Sequence, residues 1–150
     1  MRVIIQRVKS ASVSIKSKIK CQIKTGLLVF VGIEKEDIAN DVIWLCKKIS
    51  SLRIFSDDYG KMNLSVKDIA GDIMIVSQFT LHAKTKKGNR PSYVKAASTE
   101  KAIFLYEMFK SELSNNLQKK VFSGKFGSDM QVKLTNDGPV TIIIDTKNKE

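Results

Sequence analysis

The spacing of apolar residues along this chain switches between a strand-like period of two and a helix-like period of three to four. The opening run RVIIQRV is rich in β-branched residues, which suit a pleated surface. From Ala11 the apolar positions fall at every second residue, through Val13 and Ile15 and again at Ile19, Cys21 and Ile23. That alternation predicts half-buried antiparallel strands with one wetted face. Thr25-Gly26 interrupts it, and LLVFVGI (27–33) predicts a strand buried on both faces. Between 38 and 52 the period lengthens: Ile38, Val42, Leu45, Cys46, Ile49 and Leu52 share a helix face, with Asp37 placed as N-cap. RIFSDDYGKMNLS then predicts a short strand, a turn at Asp58–Gly60 and extended chain, and GDIMIVSQFTL (71–81) an apolar strand with a polar end. A second helix follows Ser98 and Thr99, with Ala102, Leu105, Tyr106, Phe109 and Leu113 on one face. Strands are predicted near 121–126, 130–134 and 140–145, before a polar tail. No linker or repeat divides the chain. The pattern predicts one α+β domain over residues 1–150, a mostly antiparallel, barrel-like sheet with two main helices.

Charge changes this picture more than composition does. The 43% hydrophobic content is ordinary for a folded domain, but Lys+Arg 26 against Asp+Glu 15 leaves +11. Such an excess points to a polyanionic partner, nucleic acid before membrane, or else to a basic pI inherited from a lysine-rich proteome. The amino terminus lacks the apolar block of a signal peptide, and no apolar stretch approaches the ~18 residues of a membrane span. A cytoplasmic protein is expected, with Cys21 and Cys46 as reduced core thiols.

The usual catalytic constellations are missing. His82 is the single histidine, so a metal site of clustered His or Cys is not expected, and no cofactor motif appears. A Ser-His-Asp triad would need His82 as base, yet it stands in a lysine-rich stretch and is expected at the surface or a loop edge. Two stretches hold usable chemistry. SQFTL ends an apolar strand, and alternation would place Gln78 and Thr80 on one side with Ser77, Phe79 and Leu81 on the other. Gln78 and Thr80 can orient a polar substrate, or simply be a solvated strand end. KTKKGNRPSY carries Lys84, Lys86, Lys87 and Arg90 on a loop punctuated by Gly88 and Pro91. Such a loop can position phosphates, and Tyr93 can stack on a base, although an ordinary solvated charge run would look the same. Gly138-Pro139, in TNDGPVTIIID, reads by itself as a turn at the mouth of a strand.

Taken together, SQFTL, the lysine-rich loop ending in NRPSY, and FGSDMQVKLTNDGPVT resemble the D-aminoacyl-tRNA deacylase family. MRVIIQRVKSASV, GLLVFVGIEKED and LRIF…GKMNLSV match it in register and order, so the resemblance covers nearly the whole chain. His82 departs from it, at a position more often aromatic. The resemblance implies an enzyme that hydrolyses the ester between a D-amino acid, or glycine, and the 3′-terminal adenosine of tRNA. It implies a homodimer in which Gly138-Pro139 of one subunit, with a cis peptide bond, enters the pocket of the other and excludes L side chains. It assigns Ser77, Gln78 and Thr80 to catalysis. Phe79, Phe126, Gly127, Met130 and Arg7 would bind substrate, and Lys84, Lys86, Lys87 and Arg90 tRNA. Thr80 lacks an evident base, which favours a route assisted by the substrate's own ribose hydroxyl over a nucleophilic threonine. Three other readings are a non-catalytic RNA-binding module, an editing domain for L-alanyl-tRNA, and a structural dimer shaped by Gly-Pro.

Overall fold

The computed structural model describes residues 1–149. In chain order the elements are β1 (Arg2–Ile15), β2 (Lys18–Ile23), β3 (Gly26–Gly32), α1 (Ala39–Ser51), β4 (Phe55–Ser56), β5 (Met62–Leu64), β6 (Asp72–Ser77), a 3-10 turn (Phe79–His82), α2 (Thr99–Leu117), β7 (Phe122–Ser123) and β8 (Gln131–Asp145). The main sheet runs β2-β1-β3-β6-β7, and β8 joins the free edge of β1. Pairing is antiparallel around β1, but β6 lies parallel to both β3 and β7, while β4 and β5 form a separate hairpin. The result is a nearly closed, barrel-like sheet with two helices. No helix among the described residues is long and apolar enough to cross a membrane.

The continuous apolar run of β3 has a direct cause: its two faces feed two cores. Leu27, Val29 and Val31 join Ile73 and Ile75 of β6 beneath the helices, where Leu45, Ile49, Phe109 and Leu113 pack. Leu28 instead joins Met74, Val76, Val8 and Val13 on the opposite side. Strand β1 serves both cores, since Val3 and Ile5 point to the first and Val8, Ala11 and Val13 to the second. A strand of strict period two cannot do that, and β1 breaks its period at Arg7 and again before Ala11. The register with β8 shifts at the same places, between Gln6 and Val8 and between Val8 and Ser10.

Three expectations need correction. Asp37 does not cap α1: it is fully buried, bound to the Met1 ammonium, which also donates to Thr146 Oγ1 at 2.7 Å, and it accepts from the Glu34 N–H at 2.7 Å. Ile38 takes the cap position, and its N–H donates to the Asp41 carboxylate at 2.9 Å. The carboxylate expected at the cap is thus used by a buried cation. The strands expected at 130–134 and 140–145 are one strand, β8, held along its length by β1. The strand expected to reach Leu81 stops at Ser77, where the chain enters the 3-10 turn.

Candidate active site

Because β3 and β6 are parallel, their carboxyl ends open at the same edge, where Val31 pairs with Ser77. The Gln78 N–H donates to the Val31 carbonyl at 2.7 Å, and the chain then turns back across Gly32. Only a residue without Cβ allows so close a passage. A Cβ on Gly32 would lie 2.9 Å from Leu81 Cβ, 3.0 Å from the Gln78 carbonyl oxygen and 3.1 Å from the His82 ring. The turn closes through Leu81 N–H to Gln78 carbonyl (3.2 Å) and Ala83 N–H to Thr80 carbonyl (3.1 Å). Arg2 reaches over to donate to the Leu81 carbonyl at 2.7 Å. Gln78 Nε2 donates to Thr80 Oγ1 at 2.5 Å. The two polar side chains therefore meet across a turn and not, as alternation suggested, along one strand face. His82 is also corrected: the turn tucks it under β3, 3% exposed, with Nε2 lacking a hydrogen-bond partner among the described residues.

A cavity of about 390 Å³ opens beside this turn. Its floor is Val31, Ile33 and Val76, and one wall is Ser77, Gln78 and Phe79. The facing wall is the segment Phe126 to Met130, and Ala97 and Ala102 close the side nearest α2. Phe126 stands edge-on to Tyr106 with ring centroids 5.7 Å apart, and Tyr106 is fixed by its hydroxyl donating to the Ile75 carbonyl at 3.1 Å. Gly127 takes φ +70, which lets the wall reverse direction. Phe79 meets Tyr93 edge-on at 5.0 Å, tying the cavity rim to the basic loop. Lys84 and Ser92 close that loop with reciprocal backbone bonds of 2.8 and 3.0 Å. Lys84, Lys86, Lys87 and Arg90 are all exposed there, and none forms an ion pair among the described residues.

Six of the site residues expected from sequence thus share one cavity: Ser77, Gln78, Phe79, Phe126, Gly127 and Met130. Thr80 is joined to it through Gln78 and itself faces a second groove with Ile4, Trp44 and Ile143. Arg7, Gly138 and Pro139 line none of the cavity within this chain. They form a separate feature. Gln6 pairs with Thr141 and Val8 with Asn136, so Arg7 alone on β1 faces the four residues Asp137 to Val140. The surplus bulges outward, with Gly138 and Pro139 exposed and their peptide bond cis. Arg7 holds the base of this bulge: it is 9% exposed, donates from Nε to the Asp137 carbonyl at 3.2 Å, and from Nη1 to the Ile54 carbonyl at 2.5 Å. Gly138 has φ +116, and a Cβ there would sit 2.8 Å from Arg7 Nη2.

Sequence reasoning missed Asp129, the one ionisable side chain lining the cavity among the described residues, and the two alanines at its side. Asp129 lay inside a motif already marked; Ala97 and Ala102 carried no signal beyond apolar spacing. No cluster of three or more His, Cys, Asp or Glu suited to a metal occurs among the described residues.

Comparison with known proteins places this geometry. The family model described as D-Tyr-tRNA(Tyr) deacylase matches residues 4–145. A D-aminoacyl-tRNA deacylase of Flavobacterium psychrophilum is 62% identical over 150 residues, and one of Bacteroides fragilis 59%, each alignment covering 100% of both chains. A solved structure titled c-Myc DNA Unwinding Element Binding Protein superposes with TM-score 0.92 at 38% identity, covering 97% of this chain and 99% of its own. A second, titled as a probable eukaryotic D-amino acid tRNA deacylase, shares the fold with TM-score 0.83 at 16% identity, over 95% of this chain and 97% of its own. With the match spanning strands, cavity walls and bulge alike, the chain belongs to the D-Tyr-tRNA(Tyr) deacylase family of hydrolases.

Proposed function

We propose that this protein hydrolyses the ester of D-aminoacyl-tRNA, and of glycyl-tRNA, while sparing L-aminoacyl-tRNA. The observation that carries the reading is the cavity at the ends of β3 and β6, in which the polar Ser77-Gln78 wall faces the Phe126–Met130 wall. An aromatic and apolar wall suits a nucleobase, and hydrogen-bond donors opposite suit an ester carbonyl. The basic loop joined to the rim through Tyr93 and Phe79 supplies charge for the adjoining phosphates. Cys21 and Cys46 are free thiols, in keeping with the cytoplasm, where tRNA is used.

Chemistry in this reading rests on positioning. An aminoacyl ester is already activated, so the site needs to orient water and stabilise the developing oxyanion. Donors on the Ser77–Thr80 segment do the second, and the ribose hydroxyl beside the ester helps with the first. Thr80 Oγ1 is engaged by Gln78, which favours an orienting role over attack. Thr80→Ala is expected to keep most of its deacylation and to show no acyl-enzyme by mass spectrometry; abolished activity with a trapped adduct would establish threonine as nucleophile.

Selectivity is assigned to a second copy of the chain. Gly138 and Pro139 are exposed and line none of their own chain's cavity, and farther along the same strand Ile143 is 66% exposed. An apolar, outward-facing strand next to a rigid bulge suits a homodimer in which each bulge enters the partner's cavity. Main-chain atoms placed there would crowd an L side chain and leave a D side chain free, whatever its chemistry. Incubation with D-Tyr-tRNA and L-Tyr-tRNA tests the reading: hydrolysis of the first only is expected, and hydrolysis of neither would leave an RNA-binding module.

A further inference from the structure

A further groove, of about 690 Å³, lies between β2, β7 and α2, distinct from the cavity, from the groove at Thr80 and from the lysine-rich loop. Lys20 rises from β2, Lys110 from α2 and Lys120 from the segment entering β7, with the hydroxyls of Ser111, Ser114 and Ser123 between them. No carboxylate lines it among the described residues, although Lys110 is ion-paired with Glu107. The floor is closed by Cys21, whose thiol donates to the Ser123 carbonyl at 3.4 Å.

The groove adjoins the cavity by direct chain continuity. Ser123 lines one and Phe126 the other, and three residues span at most about 10 Å. We propose that this groove carries the sugar–phosphate backbone of the tRNA leading to the 3′ end in the cavity, a second anion-binding track beyond the lysine-rich loop. The proposal rests on the functional reading above. Lys20 and Lys120, in no ion pair among the described residues, together with hydroxyl donors match phosphate oxygens, which take charge-assisted and neutral hydrogen bonds together. A second copy of this chain is a poor occupant, since it brings its own +11 to a positive surface.

Two measurements test this. In the first, the Lys20→Ala/Lys120→Ala double variant is compared with a Lys61→Ala/Lys67→Ala control, both charge-matched. Neither control residue lines the groove or the cavity. The expected result is a KM for D-Tyr-tRNA raised about tenfold for the groove variant, with hydrolysis of a D-tyrosyl adenosine ester unchanged. Loss of two phosphate contacts also lowers the slope of log affinity against log salt for uncharged tRNA by roughly 1.4–1.8. Equal effects from the control pair, or an unchanged KM and slope, would overturn the groove. In the second, iodoacetamide is applied to the unmodified protein, where Cys21 is half-buried and Cys46 fully buried. Uncharged tRNA is expected to slow Cys21 alkylation at least fivefold, and an unchanged rate counts against the proposal. Because binding of uncharged tRNA needs no turnover, a protein that fails on both esters would defeat the functional reading while still reporting on the groove.

Discussion

Gly32 decides whether the turn through Gln78 and Thr80 can lie where it does. A Cβ would meet Leu81 Cβ at 2.9 Å and main chain, the Gln78 carbonyl, at 3.0 Å, so the turn itself would have to move by some tenths of an ångström. Gln78 and Thr80 depend on that turn for their mutual contact, and displacement of a positioning group near the reacting ester is costly in rate. Gly32→Ala is therefore expected to lower kcat/KM for D-Tyr-tRNA about 10- to 100-fold. Overpacking at the site should cost about 1–3 kcal/mol of stability, so thermal unfolding should still show a folded protein. Near-normal kcat/KM would mean that the turn tolerates the shift. Gly138 is limited differently. Its φ of +116 excludes most L residues, and its missing Cβ makes room for Arg7 Nη2. Gly138→Ala should reorient the bulge with little change in the cavity, so the D-to-L ratio of kcat/KM is expected to fall at least about tenfold, roughly 1.4 kcal/mol of discrimination. Retention of the ratio would remove the bulge from selectivity.

At the scale of elements, β1 and β8 hold the molecule together and place the bulge. Their ends are joined where Arg2 Nη2 meets Asp145 Oδ2 at 2.7 Å. Partial burial pushes the Asp145 carboxyl up, but the Lys147 N–H and the Arg2 guanidinium more than offset this and leave it below the usual range. A carboxyl with a lowered folded pKa stabilises the fold above its unfolded value of about 3.9, and the gain is lost as pH falls through the folded pKa. The urea midpoint is thus expected to drop between pH 6 and pH 3 by more in the wild type than in Asp145→Asn; parallel profiles would show that the pair is not linked to folding. Much of this architecture was legible beforehand, because alternation through Val13 and Cys21, and helical spacing through Leu45 and Phe109, report burial that each element arranges locally. The change of inward face at Arg7 was not, since a bulge is imposed by the partner strand and leaves no local period. For the same reason Gly138-Pro139 read as a turn between two strands when it interrupts one. Ser77 and Gln78 stood out as polar ends of an apolar run, whereas the His82 burial follows from the turn crossing Gly32, a contact between segments far apart in sequence.

At the scale of the whole molecule the question is whether one chain makes a complete selective site. Gly138 and Pro139 are exposed and line none of the cavity in their own chain. If the bulge acts on a partner, the two functions belong to different chains and defects in them must complement. Gln78→Ala disables the cavity of its own chain and leaves its bulge intact; Gly138→Ala does the reverse. In a mixed dimer, one site then combines both defects and the other combines the two intact halves. Random reassociation of equal amounts makes half the dimers mixed, so about a quarter of the wild-type number of selective sites should return. The refolded mixture is expected to hydrolyse D-Tyr-tRNA faster than Gln78→Ala alone and with a higher D-to-L ratio than Gly138→Ala alone. A bulge that served its own chain could not give this result, because no chain in the mixture carries both intact parts.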